Sequence, residues 1–527
     1  MNPSLKNRKN RKNRKPLLIA NRGEIAIRIA RTARALGFPT VAIYSDADRF
    51  AEHLRFCDQA IGIGAAPPKE SYLNIERVID AALRSQAQYV HPGYGFLSER
   101  AHFVEACEKA GLTFVGPRAS HMRQMGDKIQ ARATVDSLGV PRVPGSAGAL
   151  ADAEQAKTIA AQIGYPVLLK AAAGGGGKGM RRVDSNAEME SSFASASREA
   201  LGAFGDGSLY VEKLILEPHH VEIQIFGDGQ GGAVHLGDRE CSIQRRHQKV
   251  WEEAPAPILH EFPETRVSMV QSAVRIAEKI QYSGAGTFEF IVDGQGNYYF
   301  LEMNTRLQVE HPVTEWVSGV DLVEWQLLLA AGELKLPLKT PPIEGHAIEV
   351  RLYAEDPETF LPAPGQLGSI SLPSGAFVRS DTAFVQEGEV SLFYDPMIAK
   401  VSVWGASRAQ ALSRLQVALG ETRVEPPKRA DGSARGSLRT NLPFLKRLAF
   451  LPEVIQGQTT THLIADHKSL TEPCSADLSW EAALAVAIHQ IVTDSQGSFD
   501  LESSSLEAEP SSRAWSQSAR RHGGWGQ

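Results

Sequence analysis

The sequence predicts an α/β fold, with a parallel sheet in the amino-terminal part and further regions that mix helices and strands. Residues 16–46 read strand, helix, strand, as PLLIA, EIAIRIARTARALG and TVAIYS. The pattern recurs in QAIGIG, a helix near 74–85 and AQYVHPGYG, and such alternation predicts a parallel sheet. The first helix repeats its apolar residues at the spacing of one helix face, at Ile25, Ile29, Ala33 and Leu36.

A second α/β unit follows a stretch rich in proline and glycine, GVPRVPGSAG (139–148), which is typical of a hinge. The unit reads helix (152–163), strand (YPVLLKAA), glycine run, strand (GMRRVD), long helix (187–203) and strand (SLYVEKLI). A longer mixed region then runs to about residue 335.

The last third of the chain reads mainly as strands. A linker is predicted at 336–345, and short strands predominate from 346 to about 465, with a helix near 407–420. Beyond residue 466, an acidic and serine-rich stretch predicts a loose tail, although WEAALAVAIHQIV has the character of a helix.

Composition excludes several classes of protein. The 527 residues suggest three or four domains, and no apolar run approaches the roughly 18 residues that span a bilayer. The four cysteines are scattered without a CxxC pair, and no signal peptide is visible, so we expect a cytoplasmic protein in a reducing compartment. The first strand–helix turn, NRGE, lacks GxGxxG, which disfavours nicotinamide dinucleotide binding.

The first fifteen residues form a separate basic segment. They hold seven Lys or Arg and no acid, and because the whole chain has a net charge of −5, the remainder carries −5 − 7 = −12. Such a run could bind nucleic acid or anionic lipid. It has no aromatic residue and no apolar stripe, so we interpret it as a disordered tail and expect neither partner.

The glycine run AAAGGGGKGM (171–180) is the first candidate site. Its five glycines let backbone N–H groups approach a ligand closely, and two lysines lie beside them. GKG replaces the GK[ST] of a Walker A loop and strands flank the run on both sides, so a mobile flap over phosphates is favoured over a flexible hairpin. Lys170 ends the strand before it, either on a phosphate or as a snorkelling strand end.

A hairpin, TFEFIVDGQGNYYFLEMN, carries the second candidate site. If its loop is centred between Gln295 and Gly296, cross-strand partners sum to about 591 and Glu289 faces Glu302. Like charges directly opposite are destabilising unless a divalent cation lies between them. With Asn304 they form an oxygen ligand set that suits Mg²⁺ or Mn²⁺. A loop centred on Gln295 would shift the pairing by one residue.

The end of that hairpin, LEMNTRLQVEHPVTE, alternates in character. In a strand, Glu302, Asn304 and Arg306 would share one face, which is either a solvated face or a site. The opposite face would carry Leu301, Met303 and Thr305. Upstream, CSIQRRHQKVWEEAPAP concentrates basic residues before two acids, and it is either a solvated face or the holder of a small anion or ribose.

An ordered set of motifs resembles the biotin carboxylases. These are IANRGEIAIRI (19–29), HPGYGFLSE (91–99), MGDK (125–128), AGGGGKGM (173–180), HVEIQIFGD (220–228), CSIQRRHQKV (241–250), GTFEFI (286–291), LEMNTRLQVEHPVTE (301–315), AEDP (354–357) and YDPMIAK (394–400). The resemblance covers about residues 16–465. It implies an ATP-grasp fold with a Rossmann-like amino-terminal domain (16–127), an ATP-grasp domain (128–345) with a mobile lid (about 143–215), a biotin carboxylase carboxyl-terminal domain (346–465) and a tail (466–527) that is a candidate for partner docking.

The family's activity supplies roles for individual residues. Biotin carboxylases use ATP to activate bicarbonate as carboxyphosphate and then carboxylate N1′ of protein-linked biotin. The resemblance assigns ATP contacts to Lys128 and Lys170 at the phosphates, Gly175 and Gly176 in the lid loop, Glu212 and Lys213 at the adenine, and His220, Gln244 and His247 near the ribose. It assigns the metal to Glu289, Glu302 and Asn304, and bicarbonate to Lys249, Arg306, Gln308 and the Val309 backbone. It implies that Glu310 is the general base, that Arg351 and Arg306 stabilise the biotin enolate, and that Tyr94 lies at the biotin.

Two departures from the family pattern concern position 251 and a loop. Trp251 stands where a smaller aliphatic residue is usual, and it either narrows the pocket beside Lys249 or packs elsewhere. PPKRADGSARGS (426–437) resembles an insertion and reads as a solvated loop.

The 527 residues contain no biotin acceptor motif. None of the eight methionines is followed by lysine, as an AMKM-like motif requires. We therefore expect biotin to arrive as a substrate on a separate biotin carboxyl carrier protein, with a carboxyltransferase subunit as a further partner. AAAGGGGKGM and YDPMIAK resemble the α subunits of acyl-CoA carboxylases, and the resemblance also implies a homodimer.

Two other interpretations remain open at this stage. One is an ATP-grasp ligase that joins a different acid to an amine. The other is a nucleotide-binding regulatory or scaffold subunit that has lost catalysis, which the complete set Lys249, Arg306, Glu310 and Arg351 disfavours.

Overall fold

The computed structural model describes residues 14–172, 180–245, 248–334, 340–430, 432 and 434–472. The basic segment 1–13, part of the predicted linker and the chain beyond residue 472 lie outside the described residues. Arg14, which the sequence placed in the tail, pairs with Glu333 at 2.7 Å and lies over the Phe38 ring, so the folded part begins by this residue.

The amino-terminal part is a five-stranded parallel sheet with helices, as predicted. Its strand order is β3-β2-β1-β4-β5, and every neighbouring pair is parallel. The apolar face of the first helix is buried, and Gly37 ends that helix in the left-handed conformation at φ 83°. The elements are β1 (Leu17–Ile19), α1 (Gly23–Leu36), β2 (Thr40–Tyr44), β3 (Gln59–Gly62), α2 (Ile75–Arg84), β4 (Tyr89–His91), α3 (Ala101–Lys109), β5 (Thr113–Phe114) and α4 (Ala119–Gly126).

A small α/β unit follows, with a core of its own. The antiparallel sheet has the order β7-β6-β8, and its apolar side packs on two helices through residues such as Ala156, Leu169 and Met189. The predicted helix–strand–strand–helix–strand order is confirmed, whereas the glycine run 173–179 lies outside the described residues. The elements are α5 (Lys128–Ser137), α6 (Ala153–Ile163), β6 (Val167–Ala171), β7 (Met180–Val183), α7 (Asn186–Phe204) and β8 (Leu209–Lys213).

An eight-stranded antiparallel sheet forms the largest layer. Its order is β15-β14-β9-β10-β13-β16-β21-β19, in which β16 (His346–Tyr353), β19 (Val378–Thr382) and β21 (Met397–Gly405) come from the last part of the chain. β13 therefore pairs with β16 across residue 345, where the sequence placed a domain boundary. Local periodicity carries no information about such distant pairing. Before that residue lie β9 (His219–Asp228), β10 (Ala233–Glu240), β11 (Gln244–Arg245), β12 (Gln248–Lys249), β13 (Trp251–Ala254), α8 (Ile258–Glu261), α9 (Pro263–Lys279), β14 (Ser283–Val292), β15 (Tyr298–Asn304), α10 (His311–Ser318) and α11 (Leu322–Ala330).

The last part of the described chain completes this sheet and adds short strands and helices. Residues 466–472, which the sequence assigned to the tail, include the buried Leu470, whose carbonyl accepts two hydrogen bonds from Arg447. The elements are β16 (His346–Tyr353), β17 (Gly365–Gln366), β18 (Ser369–Ser371), β19 (Val378–Thr382), β20 (Glu389–Val390), β21 (Met397–Gly405), α12 (Arg408–Glu421), β22 (Arg423–Glu425), α13 (Leu442–Leu448), α14 (Pro452–Gln456) and α15 (Leu463–Asp466).

None of the helices in the described part of the chain combines the length and apolar character needed to cross a membrane. The predicted loop at 426–437 is largely exposed where it is described, in agreement with its solvated composition.

Candidate active site

The hairpin of β14 and β15 places two carboxylates opposite each other, but by a different route from the predicted one. Pairs near the loop, such as Val292 with Tyr298, sum to 590, so the loop is centred on Gln295. A β-bulge between Glu289 and Phe290 then shifts the register by one residue, and Glu289 faces Glu302 as predicted. Leu301 is the extra residue on the bulged strand, and it is 41% exposed rather than part of an apolar face.

Glu289 is buried among groups that favour its charged form. Lys249 Nζ lies 3.1 Å from its Oε1, His220 Nε2 lies 3.1 Å from its Oε2, and Gln308 donates to Oε1 at 3.2 Å. Although burial opposes ionisation, Lys249 and His220 lower the pKa of Glu289. Glu302 is the opposite case: although part of the residue is exposed, partial desolvation of its carboxylate and the nearby Glu289 raise its pKa.

The oxygen set of Glu289, Glu302 and Asn304 fits a hard divalent cation. A cation between the two facing carboxylates would offset the repulsion that raises the pKa of Glu302. The Asn304 Oδ1 atom accepts a hydrogen bond from Arg306 at 2.8 Å, and its Nδ2 atom has no partner among the described residues. Another group, His220, Glu222 and Glu289, has its ligand atoms within 4.8 Å of one another, but its imidazole nitrogen makes it a softer site.

Lys249, on the short strand β12, joins three buried carboxylates. Its Nζ atom is 2.7 Å from Glu222, 3.1 Å from Glu289 and 2.6 Å from Glu310. Burial alone would lower the pKa of this ammonium, but the three carboxylates hold it well above its ordinary value. Lys249 is therefore charged throughout the physiological range, as an anion ligand must be.

Glu310 directly precedes α10, and each of its two carboxylate oxygens binds a cationic side chain. It is 0% exposed; Lys249 binds its Oε1 and Arg351 binds its Oε2 at 2.9 Å. Burial would raise the pKa of Glu310, but these two cations and Arg239 lower it well below its ordinary value. The predicted base and the predicted enolate-stabilising arginine are thus in direct contact.

Arg306 lies beyond the strand, contrary to the prediction that it shares a strand face with Glu302 and Asn304. β15 ends at Asn304, and Arg306 follows in the connection to α10. Its guanidinium nevertheless donates to Asn304, to Gln308 Oε1 at 2.7 Å and to Glu99 Oε2 at 2.9 Å. Arg306 is therefore joined to Asn304 by a hydrogen bond and not by strand alternation, whereas Glu302 and Asn304 both lie on β15.

Three of the predicted nucleotide contacts, Lys170, Glu212 and Lys213, lie on β6 and β8. Lys170 Nζ donates to Glu212, whose other oxygen is 3.3 Å from Arg132. Lys213 Nζ donates to the carbonyls of Gly164 and Tyr165, so neither lysine is without an acceptor. A cavity of about 300 Å³ adjoins Glu212 and Arg132.

The ribose group is only partly described. Gln244 Nε2 lies 3.1 Å from His220 Nδ1 and donates to the Cys241 carbonyl, so these two predicted residues are brought together. Gly175, Gly176 and His247 lie outside the described residues, and of Lys128 only the backbone, at the start of α5, is described.

Lys400, which was not among the predicted site residues, contacts both Val309 and Tyr94. Lys400 donates to the Val309 carbonyl at 2.7 Å, lies 5.9 Å from the Tyr94 ring centroid and is 3.4 Å from Glu24. The Tyr94 hydroxyl in turn donates to Glu24. Lys400 is the last residue of the motif YDPMIAK, and its place in that motif could have identified it.

Glu222 and Arg239 were also missed. Glu222 accepts from Arg239 Nε at 2.6 Å and from Lys249, and both Glu222 and Arg239 are fully buried. Arg239 also donates to Gln224, Thr287 and Thr314. HVEIQIF alternates polar and apolar residues as LEMNTR does, and this alternation could have identified Glu222.

Trp251 packs away from the pocket. It is 1% exposed and belongs to the hydrophobic cluster that includes Val350, Val401 and Leu415. The next residue, Glu252, points to the site instead and forms an ion pair with Arg351. Burial raises the pKa of Glu252 to about 7, against the opposing effect of Arg351.

Three family models match consecutive parts of the chain. They are described as "Biotin carboxylase, N-terminal domain" for residues 13–122, "Carbamoyl-phosphate synthase L chain, ATP binding domain" for 127–338 and "Biotin carboxylase C-terminal domain" for 349–466.

Curated relatives match over most of the chain. A biotin carboxylase of Halalkalibacterium halodurans is 48% identical over 455 residues, which are 86% of this chain and 98% of that protein. The propionyl-CoA carboxylase alpha chain of Ruegeria pomeroyi is 46% identical over 502 residues, 90% of this chain and 72% of that protein.

Solved structures agree. A Campylobacter jejuni biotin carboxylase in a β,γ-ATP complex has a TM-score of 0.78 and 45% identity, with 86% of this chain and 99% of that chain covered. The biotin carboxylase domain dimer of Hydrogenobacter thermophilus 2-oxoglutarate carboxylase, with MgADP, ADP and bicarbonate, has a TM-score of 0.78 and 43% identity, covering 88% and 99%.

The fold and these comparisons together define an ATP-dependent ligase of the ATP-grasp class. Within that class, the chain belongs to the biotin carboxylase family.

Proposed function

We propose that this chain uses ATP to activate bicarbonate as carboxyphosphate and then carboxylates N1′ of biotin carried on a separate protein. The observation that carries the proposal is the contact of Glu310 with both Lys249 and Arg351 in a fully buried position. This contact joins a proton acceptor, an anion ligand and a cation for a developing oxyanion within one cluster.

Bicarbonate activation begins with Lys249 and Glu310. The ammonium of Lys249 holds bicarbonate electrostatically, while Arg306, Gln308 and the Val309 N–H group orient it. The Glu310 carboxylate accepts its proton, and the resulting oxyanion attacks the γ-phosphorus of ATP, so that ADP leaves and carboxyphosphate forms. When bound, Mg²⁺ at Glu289, Glu302 and Asn304 would neutralise charge on the phosphates.

The low pKa of Glu310 sets a condition on this step. With both Lys249 and Arg351 attached, Glu310 is ionised but is a weak base. Once bicarbonate binds, the Lys249 ammonium is shared with the substrate anion, and Glu310 loses part of the interaction that lowers its pKa. Substrate binding therefore raises the basicity of Glu310 at the moment when a base is needed.

Carboxylation of biotin uses the arginines. Carboxyphosphate splits into CO₂ and phosphate, and the released phosphate accepts the N1′ proton of biotin. Arg351 and Arg306 stabilise the negative charge that develops on the ureido oxygen, and N1′ then attacks CO₂ to form carboxybiotin. Tyr94 lies in the same region through Lys400 and Glu24 and is our candidate for contact with biotin.

Nucleotide contacts in this proposal follow the sequence assignments. Lys170 would exchange Glu212 for a phosphate, Lys128 would join it, and the loop with Gly175 and Gly176 would close over the phosphates. The remaining contacts are proposed for adenine at Glu212 and Lys213, and for ribose at His220, Gln244 and His247.

We further propose that the chain works with a biotin carboxyl carrier protein and a carboxyltransferase subunit in an acetyl-CoA or other acyl-CoA carboxylase. Support comes from the match to an alpha chain of a propionyl-CoA carboxylase. A homodimer is proposed by likeness to the Hydrogenobacter domain dimer.

The test is ADP release by the purified protein with Mg²⁺ and ATP, with and without bicarbonate and free biotin. Stimulation that requires both substrates is the expected result. Bicarbonate-dependent release that ignores biotin would instead support a ligase with another acceptor. ATP binding without any stimulation would support a scaffold and overturn the proposal.

A further inference from the structure

The connection Gln308–Val309–Glu310 is held at three consecutive residues by buried side chains. Arg351 binds the Glu310 carboxylate, and Lys400 donates to the Val309 carbonyl at 2.7 Å. The His311 Nδ1 atom lies 2.8 Å from the Gln308 carbonyl. Each contact fixes a different part of the segment that leads from β15 into α10.

Two of these contacts come from neighbouring strands. Arg351 on β16 and Lys400 on β21 are direct cross-strand partners. Side by side, two cations would repel each other, but they bind acceptors on successive residues of the connection. Lys400 is also compensated by Glu24 and, on its neighbouring strand, Asp381, and it is only 1% exposed.

His311 acts as a neutral donor. Burial lowers the pKa of its imidazole well below the ordinary value, and the nearby Lys400, Arg28 and Arg379 lower it further. The neutral ring carries its proton on Nδ1 when that atom faces a carbonyl, so it donates to Gln308. Its Nε2 atom has no partner among the described residues.

The fixed carbonyls determine where the backbone N–H groups point. In a trans peptide the C=O of one residue and the N–H of the next point in opposite directions. Holding the Gln308 carbonyl therefore directs the Val309 N–H away from His311, and holding the Val309 carbonyl directs the Glu310 N–H away from Lys400. Neither N–H donates to an acceptor among the described residues, although a buried N–H group usually has one.

We propose that Lys400 and His311 are positioning residues that aim the Val309 and Glu310 N–H groups at a bicarbonate oxygen. This inference rests on the function proposed above. Neither side chain touches the substrate. Without them the two peptide planes could rotate, and the pair of donors would no longer be preorganised for the anion.

The test compares kinetic constants for bicarbonate and ATP. Lys400→Met should raise the bicarbonate KM of ADP release about tenfold or more and leave the ATP KM within about twofold, because one preorganised donor contact corresponds to roughly this factor. His311→Ala should act in the same direction. A general loss of structure would instead lower the active fraction or change both constants together.

A second variant guards against misfolding. Lys400→Met leaves the Glu24 carboxylate buried and without its cation, so the double variant Lys400→Met with Glu24→Gln removes that unpaired charge. Its bicarbonate KM is expected to be as high as that of the single variant. Only the bicarbonate KM is compared for the double variant, because Glu24 also contacts Tyr94, our candidate for contact with biotin.

Arg408→Met is the matched control. Arg408 is likewise a cation bound to a buried carboxylate, Glu253, and to the carbonyls of Val454 and Ile455, but none of its partners belongs to the proposed site. It should lower stability without changing the bicarbonate KM. An unchanged bicarbonate KM in the Lys400 variants would overturn the positioning role, whereas a wild-type protein without bicarbonate-dependent turnover would overturn the proposed function itself.

Discussion

Glu289 and Glu302 lie directly opposite each other on adjacent antiparallel strands, yet among the described side chains only Glu289 forms ion pairs with cations. This asymmetry separates their contributions to folding and to metal binding. Glu289 holds Lys249, His220 and Gln308 in place, whereas Glu302 mainly adds a second negative charge.

The first prediction uses this asymmetry. Glu302→Gln should increase the Mg²⁺ concentration needed for half-maximal ADP release by about tenfold or more, since a carboxylate ligand is lost. Its thermal midpoint without ligands should be unchanged or higher, because a like-charge pair is relieved. Glu289→Gln should weaken both properties. Equal loss of ligand-free stability in the two variants would contradict this account of the pair.

The second prediction concerns the base. Glu310→Gln should lower bicarbonate-dependent ADP release by about 10²-fold or more, because an amide cannot accept the proton. Binding of a nonhydrolysable ATP analogue, measured by calorimetry, should persist. Glu333→Gln, at an exposed residue that pairs with Arg14, serves as control and should leave both properties intact. Full turnover in the Glu310 variant would remove Glu310 from the role of base.

The third prediction concerns the buried cation beneath the pocket. Arg239→Met should destabilise the fold by on the order of 3 kcal/mol, because among the described residues Glu222 keeps Lys249 as its one cation, while Gln224, Thr287 and Thr314 each lose a donor. Arg84→Met removes an exposed helical ion pair with Asp80 and should cost less than about 0.5 kcal/mol. Chemical unfolding of both variants would measure the difference, and similar costs would refute the assigned importance of Arg239.

Much of the site could be predicted from the sequence where the signal is local. The order of strands and helices follows from hydrophobic periodicity. Gly37 ends α1 because glycine adopts the left-handed backbone conformation without a steric cost. The facing of Glu289 and Glu302 was predicted correctly from an incorrect loop centre, because the bulge at Leu301 compensates for it. No residue pattern around Leu301 predicts that a bulge forms there.

Other features depend on pairing between distant strands. Arg351 reaches Glu310, and Lys400 reaches Val309, only because β13, β16 and β21 continue the sheet of β9 and β10. Family resemblance supplied Arg351, but nothing local indicates the partner of Lys400. Similarly, strand alternation could not locate Arg306, which lies past the end of β15.

The last prediction is a pH dependence of stability that arises away from the pocket. Glu253 is fully buried and binds Arg408 and His346, each at 2.7 Å. Burial would raise its pKa, but these partners lower it from 4.5 to about 2. A carboxyl group whose pKa is lower in the folded state stabilises the fold above its unfolded-state pKa, and this stabilisation disappears as the pH falls through the folded-state value.

Glu253→Gln should therefore cost about 3 kcal/mol near pH 7, the equivalent of roughly 2.5 pKa units. The difference between wild type and variant should begin to shrink below about pH 4.5, reach about half near pH 3 and vanish below about pH 2. Urea unfolding of both proteins across this range measures it, with Glu333→Gln as a control that should show little difference at any pH. A difference that stays constant from pH 7 to pH 3 would mean that the variant acts through packing rather than through the charge of Glu253.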